Sequence, residues 1–538
     1  MADPAASAPG GRVSIYDTTL RDGSQGEGIS FTGEDKLKIL RILDAFRVDY
    51  VEGGWPGSNP KDIQFFKAAR GLKLTHTRLA AFGSTRRPQL PAEADTNLKA
   101  LIEVETPVVT IFGKSWKLHV LEIFRTTLEE NLRMIEDSVR FLKSHGREVI
   151  YDAEHFFDGH ADDPSYAMET LDAACRGGAD CLTLCDTNGG SLVQIVGRVV
   201  AAVRQRFPGT AVGIHTHNDG GLAAANSLEA VLAGAVQVQG TFNGLGERCG
   251  NADLTVVIPN LLLKMGRTLG IDREGLQALT HTARYISAIA NHNFPENHPF
   301  VGQMAFAHKG GVHVNSVMKV PRSYEHIDPE QVGNSRRVLI SELSGKSNLE
   351  FLATQQGIDL SANPQAARAA VEEIKRLENE GYVFEGAEAS STLILLRALG
   401  NLPAYFELEN YRTIVEHLAR AGSGRTISEA TVKIRVGGEE HLAVGEGVGP
   451  VNALDAALRA ALKPYFPEIQ GVKLQDYKVR VLNTDLGTSA KVSVLIESTD
   501  AARSNSWGTV GVGDNIIEAT WEALRDSIIY GIYQARER

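Results

Sequence analysis

The sequence predicts a (β/α)8 TIM barrel followed by helical linker subdomains and a C-terminal α+β domain with an internal β-β-β-α repeat. Three observations predict this. Eight strand-like runs alternate with amphipathic stretches through the first half, the cadence stops near Gly270, and the C-terminal segment repeats itself at an offset of 66 residues.

The strand-like runs are 13–16, 48–51, 74–82, 108–112, 149–153, 181–184, 211–214 and 236–241, each rich in β-branched residues and bounded by turn formers. Helical periodicity fills the intervals, for example at 34–46, 125–144, 164–177 and 192–206. Strand and helix in alternation imply right-handed crossovers and a parallel sheet. Eight such units suit a closed barrel better than the alternative, an open doubly wound sheet.

Beyond the barrel the reading is a helix at 272–292, a Gly/His segment at 307–316, a helix at 363–379, and a helical stretch to about residue 421. Ala421-Gly-Ser-Gly-Arg425 reads as a flexible linker. The repeat follows: Val444-Gly-Glu-Gly447 and Val510-Gly-Val-Gly513 each precede a helix, with strand-like runs ahead of both. The organisation is therefore a tail at 1–11, a barrel at 12–270, linker subdomains at 271–345 and 346–425, and a C-terminal module at 426–538. The repeat is read either as a structural cap or dimer surface or as a small-molecule regulatory domain.

At 538 residues the chain exceeds one core. A hydrophobic fraction of 43% and a charged fraction of 22% are those of a soluble globular protein. A net charge of −11 argues against nucleic-acid binding and a polybasic membrane anchor. Four cysteines with no C-x-x-C pair point to a reducing compartment. The Ala/Pro-rich start lacks the apolar core of a signal peptide, and no apolar run approaches bilayer-spanning length. The expectation is a cytoplasmic protein that contacts neither nucleic acid nor membrane.

Catalytic groups of such a barrel gather at the C-terminal ends of its strands. Strand 1 leads into Asp17-Thr-Thr-Leu-Arg21-Asp22, strand 7 into His215-Thr-His217, and strand 8 into a loop that reaches Asn251. Closure makes these three neighbours. His215 and His217, two apart on a strand, point to one side. With a carboxylate from strand 1 and an amide oxygen from the loop after strand 8 they make a mixed nitrogen and oxygen site suited to Mg, Mn or Zn; the alternative is a pair of hydrogen-bonded loop histidines. Asp17 is read as a supporting or structural carboxylate. Arg21 is a forked, permanent cation suited to an oxo-acid oxygen. Strand 5 ends in Asp152-Ala-Glu154, carboxylates placed for substrate contact and acid/base work, and strand 6 ends beside Thr187, whose hydroxyl can hold a carboxylate. Phe82 and Phe112, at the ends of strands 3 and 4, can shorten the pocket; the alternative for both is rim packing.

Asp17-Thr-Thr-Leu-Arg-Asp-Gly-Ser-Gln25, His215-Thr-His-Asn-Asp-Gly-Gly-Leu-Ala-Ala-Ala-Asn226 and Gly246-Glu-Arg-Cys-Gly-Asn251 resemble, in order, the three signatures of the 2-isopropylmalate, homocitrate and citramalate synthase family. The resemblance implies a metal held by Asp22, His215, His217 and Asn251, with acetyl-CoA as co-substrate. It assigns Arg21 to the oxo-acid oxygen, Thr187 to its carboxylate and Glu154 to proton transfer. It also matches His313, in His308-Lys-Gly-Gly-Val-His313, to a histidine that serves the partner subunit's active site, which requires a homodimer or larger homo-oligomer. The C-terminal repeat resembles the family's allosteric domain, which implies leucine or isoleucine as effector.

Glu52-Gly-Gly-Trp-Pro-Gly-Ser-Asn59 and Tyr151-Asp-Ala-Glu-His-Phe-Phe-Asp-Gly159 resemble the citramalate branch, which implies pyruvate as the acceptor. The runner-up acceptor is 2-oxoisovalerate, as in 2-isopropylmalate synthases. A hydroxymethylglutaryl-CoA-lyase-type enzyme shares the metal motif but lacks the C-terminal repeat. A silent amino-acid sensor is the non-enzymatic alternative, and the full ligand set with Arg21 stands against it.

Overall fold

The computed structural model describes residues 10–290, 292, 295–308, 311–338, 364–384, 386–418, 425–482, 490–500 and 505–537. They fall into two compact units, one of Met1–Phe306 with Ile327–Ser335 and one of Ala307–His326 with Arg336–Arg538.

In the first unit eight parallel strands close into a barrel. They are β1 (Ser14–Asp17), β2 (Tyr50–Glu52), β3 (Arg78–Ser84), β4 (Val108–Lys114), β5 (Glu148–Glu154), β6 (Cys181–Asp186), β7 (Ala211–Thr216) and β8 (Gln237–Gly240). Closure is direct: β8 pairs with β1 from Ser14↔Gln237 to Asp17↔Gly240. Alternate side chains face opposite ways. Tyr16, Ala80, Val108, Ile150 and Cys181 form one interior layer. Val109, Ile111, Val149, Leu182, Val212 and Ile214 face outward into the core shared with the helices.

Local chemistry sets the helix ends. Gly33–Ala45 opens with a capping box between Thr32 and Asp35. Pro164–Gly177 opens at the Asp163 cap with proline in its first turn, and closes on Gly178 at φ 96°.

All eight predicted strands are present, with shifted ends. The largest shift is in the third, where 74–77 is not strand. There the backbone N–H groups of Thr75, His76 and Thr77 donate to the Asp44 carboxylate at 2.8–3.1 Å instead of to a neighbouring strand. The helix expected at 272–292 is shorter, a 3-10 turn Gly275–Ala278 leading into Leu279–Ile289. The Gly/His segment contains a short strand, Ala307–His308, and then the helix Gly311–Lys319. Pro364–Asn379 is helical as expected.

One expectation is overturned. The helical stretch read as continuing to about residue 421 ends at Ala398, and Glu407–Leu418 is a strand, β9. It pairs antiparallel with β10 (Arg425–Val436) along nearly its whole length. Its β-branched run Thr413-Ile414-Val415 suits a ladder, and Tyr411 stacks on Trp521 at 5.2 Å. The expected linker residues Ala421 to Gly424 lie outside the described residues.

The repeat is two β-β-β-α units. The first is β9, β10, β11 (Glu439–Gly447) and the helix Pro450–Leu462. The second is β12 (Val472–Val481), β13 (Val492–Asp500), β14 (Asn505–Gly513) and the helix Ile516–Arg536. The shared glycines have one physical role, which is close approach. A Cβ on Gly445 would lie 2.4 Å from the Ala457 nitrogen, and one on Gly511 would lie 2.1 Å from the Ala519 oxygen. Each helix therefore rests directly on the last strand of its own sheet, with Ala453 and Ala457 in one unit and Ala519 and Ala523 in the other fully buried. No helix among the described residues is long and apolar enough to cross a membrane.

Because backbone atoms cannot yield at Gly511, Gly511→Ala is expected to destabilise the second unit by about 1–3 kcal/mol. Thermal unfolding followed by circular dichroism checks this; an unchanged midpoint would show that helix and strand separate freely.

Candidate metal and substrate site

The loop after β1 turns sharply, with the Asp22 backbone N–H donating to the Thr18 carbonyl at 2.9 Å. This turn places Arg21 and Asp22 side by side over the barrel mouth, with Arg21 Nη1 3.2 Å from Asp22 Oδ2. From β7, His215 Nε2 lies 3.4 Å and His217 Nε2 3.9 Å from the same Asp22 oxygen. One ligand atom from each of the three lies within 4.8 Å of the others, and all three side chains are buried.

Asn251 reaches this point because its loop is pinned to the end of β7. His217 and Asn251 form an isolated antiparallel bridge, and Asn218 N–H donates to the Gly250 carbonyl at 2.9 Å. Gly246 makes room, since a Cβ there would lie 2.2 Å from Asn251 Nδ2. That amide nitrogen donates to the Leu245 carbonyl at 3.1 Å, which leaves Oδ1 as the unengaged end.

Asp22 Oδ1, Asn251 Oδ1 and His217 Nδ1 are buried and meet no hydrogen-bond partner among the described residues. Orphaned buried acceptors are costly. A divalent cation would relieve the two oxygens, and nitrogen and oxygen donors of this kind suit one. The four residues thus fit a metal.

The charges agree. Burial opposes ionisation of Asp22, but Arg21 and His215 hold its carboxyl well below the usual range. Burial also opposes the charged form of His215, yet Asp22 raises its pKa. Burial and the neighbouring His215 lower His217 to about 4, which leaves a neutral imidazole able to ligate. Burial raises the Asp152 carboxyl to about 7 against the opposing pull of His215.

Two supporting groups are not among the site residues expected from sequence, although one of them opens the quoted Glu52–Asn59 stretch. Glu52, at the end of β2 and fully buried, accepts from Arg21 Nε, from Thr18 Oγ1 at 2.8 Å and from Tyr16 Oη at 2.7 Å. Gln239, on β8, orients His215. Its amide nitrogen donates to Asp152 Oδ1 at 3.0 Å, so its oxygen faces His215 Nδ1 at 2.8 Å and turns Nε2 towards Asp22. The available signal was position: both residues sit on barrel strands at interior-facing places.

The remaining predicted residues stand as follows. Glu154, at the end of β5, is paired with Lys114 from β4. Thr187 Oγ1 accepts from the His155 backbone N–H at 2.9 Å, so its one proton is left to donate elsewhere. Phe82 and Phe112 stack at 5.5 Å, and the Arg21 guanidinium lies 3.8 Å above the Phe82 ring. Asp17 accepts from Thr19 N–H and Oγ1 at 3.0 and 2.7 Å, as befits a structural carboxylate. The barrel therefore assembles Arg21, Asp22, Phe82, His215, His217 and Asn251, with Asp152 joined to them through Gln239. His313 is not on the barrel: it lies exposed on the helix Gly311–Lys319 of the second unit, its ring 4.5 Å from that of Tyr324. A cavity of about 320 Å³ opens beside Arg21, lined among others by Ser24, Gln25, Lys36, Trp55 and Lys61.

A paired-histidine, carboxylate and amide pocket at the mouth of a closed eight-stranded barrel defines a TIM-barrel protein with a candidate metal site, and the family model described as HMGL-like matches residues 12–284. A homocitrate synthase post-HMGL domain-like model matches residues 300–382, and a LeuA allosteric (dimerisation) domain model matches residues 385–531. The chain belongs to the (R)-citramalate synthase family of this class. It is 51% identical to the (R)-citramalate synthase of Aquifex aeolicus (strain VF5), covering 98% of this chain and 99% of that one. It is 49% identical to that of Geobacter sulfurreducens, covering 98% of each. A probable 2-isopropylmalate synthase of Methanopyrus kandleri is more distant, at 30% over 95% of this chain and 97% of that one.

Replacing Gln239 with leucine removes the partner that orients His215 while leaving every ligand in place. Gln239→Leu is expected to weaken Mn binding by about 10–100-fold, read by calorimetric titration of the metal-free protein; wild-type affinity would show that His215 needs no orienting partner.

Proposed function

We propose that the chain condenses acetyl-CoA with pyruvate and hydrolyses the thioester, releasing (R)-citramalate and CoA as an entry step towards isoleucine. The observation that carries this is the convergence of Asp22, His215, His217 and Asn251 beside Arg21 in a chain so similar to (R)-citramalate synthases over its whole length. The lower identity to a probable 2-isopropylmalate synthase ranks 2-oxoisovalerate second as acceptor.

Those four residues would hold a divalent cation, Mg, Mn or Zn, which would supply Lewis acidity towards the acceptor's carbonyl. Arg21, held by Glu52 and Asp22, places a fixed positive charge where the alkoxide oxygen develops. Thr187 donates its free proton to the acceptor carboxylate. Asp152 borders the acceptor, and Phe82 and Phe112 limit its side chain. Glu154, or His313 supplied by a second copy, takes the methyl proton of acetyl-CoA. The carbon so freed forms the new bond to the ketone carbon, and water then cleaves the thioester. Acetyl-CoA enters by the cavity beside Arg21, where Lys61 and the start of the helix Pro60–Ala69 offer positive potential to its anionic arm.

We assign catalysis to residues 12–270, linker roles to the segments that follow, and binding of isoleucine or leucine to the C-terminal repeat. The active form is a homodimer or larger homo-oligomer. A cytoplasmic setting accords with four free thiols.

CoA release measured with pyruvate, 2-oxoisovalerate and 2-oxoglutarate tests the acceptor: pyruvate is expected to lead, and preference for either of the others would overturn the assignment. Chelation is expected to abolish turnover and added divalent metal to restore it. Arg21→Ala is expected to lower kcat by about 100- to 1,000-fold. Mixing Arg21→Ala with His313→Ala is expected to restore activity that neither variant has alone; a mixture as inactive as its components would place both groups in one subunit's site.

A further inference from the structure

Phe82 and Phe112, which the function proposed above sets against the acceptor's side chain, belong to a group of three rings. Phe82 and Phe112 stack at 5.5 Å and 20°. Trp55 meets both edge-on, at 5.8 Å and 85° to Phe82 and at 5.6 Å and 83° to Phe112. The Arg21 guanidinium lies 3.8 Å over Phe82, so this pair faces the cation that the acceptor oxygen needs, and Trp55 braces it.

Trp55 is itself held at two points. Its backbone N–H donates to Asp62 Oδ2 at 2.9 Å, and Asp62 is fixed by buried Lys36 at 2.6 Å. Its ring Nε1–H donates to Asn97 Oδ1 at 2.7 Å, while Asn97 Nδ2 donates to the carbonyl of Ser84 at the end of β3, the strand that carries Phe82. The approach to Asp62 requires glycine at position 54, where φ is 147° and a Cβ would lie 2.4 Å from the carboxylate. A bulky ring on a loop, anchored to the same strand as the residue it braces, holds that residue in one rotamer.

We propose that Trp55 is the specificity-determining positioning residue of the acceptor pocket. By backing Phe82 and Phe112 it sets how long a side chain the 2-oxo acid can carry, without touching that side chain. The inference rests on the function proposed above and deepens it. Without the indole, the two phenylalanine rings can turn back into the vacated volume, and the room they leave for the acceptor's side chain lengthens. A pocket of this kind discriminates by about 10- to 200-fold per methylene, so a lost brace reads out as a lost ratio rather than a lost rate.

The test compares kcat/KM for pyruvate, 2-oxobutyrate and 2-oxoisovalerate in the full-length enzyme, its Trp55→Leu, Trp55→Phe and Asn97→Ala variants, with the KM for acetyl-CoA as control. Trp55→Leu is expected to raise the ratio of 2-oxobutyrate to pyruvate by about tenfold. Asn97→Ala, which frees the ring but keeps its volume, is expected to raise it less, and Trp55→Phe to stay nearest to wild type. An unchanged ratio in Trp55→Leu, or a change confined to acetyl-CoA, overturns the proposal. Should Trp55→Leu not fold, an unchanged ratio in Asn97→Ala does the same. A wild-type enzyme that prefers another acceptor sinks the pyruvate assignment alone, because the ratio of longer to shorter acceptor still reads the brace.

Discussion

Closure of the barrel between its first and last strands is the constraint on which the site depends. Asp22 and Asn251 are far apart in the chain, and each sits on a loop rather than a strand. What unites them is the parallel pairing of β8 with β1, together with the bridge that seats Asn251 on His217 at the end of β7. A backbone ladder has one register when side chains on both faces are packed, so the position of the ligands follows from the packing of Val238 and Ile15 as much as from the ligands themselves.

That constraint gathers more negative than positive charge. Glu52, Asp22 and Asp152 are all buried around a single guanidinium, that of Arg21. Burying ions without full compensation is expensive. The protein meets the cost partly by keeping Asp152 near its point of protonation and partly by raising the pKa of His215. A divalent cation held by Asp22, His215, His217 and Asn251 would add positive charge to a pocket so dense in carboxylates.

Much of this was legible in sequence. Short β-branched runs alternating with amphipathic stretches marked eight strands, and the spacing of His215 and His217 placed two imidazoles on one side. The glycine pairs at 445/447 and 511/513 marked a repeat that proved to be two β-β-β-α units. The misses share one cause. Glu52, Gln239 and Trp55 act through contacts with residues distant in sequence; Glu52 and Trp55 stand in a stretch that resembles one branch of the family, but no spacing within it discloses what they touch. Glu407–Leu418 was misread because its charged residues are spaced acceptably for a helix, whereas its pairing with β10 decides in favour of strand. Lys114 and Glu154 sit opposite each other on adjacent strands, a relation that only register discloses.

The doubled C-terminal module bears on how such a protein can change over generations. In a pair of separate identical halves, every substitution would strike both sides of the symmetry axis at once. Covalent fusion lets each half drift alone, yet Gly445 and Gly511 both still seat a helix against bare backbone. The inner seam therefore admits nothing larger than glycine in either copy, while away from it the halves already differ: exposed Leu442 stands where the other half, 66 residues on, has Gly508.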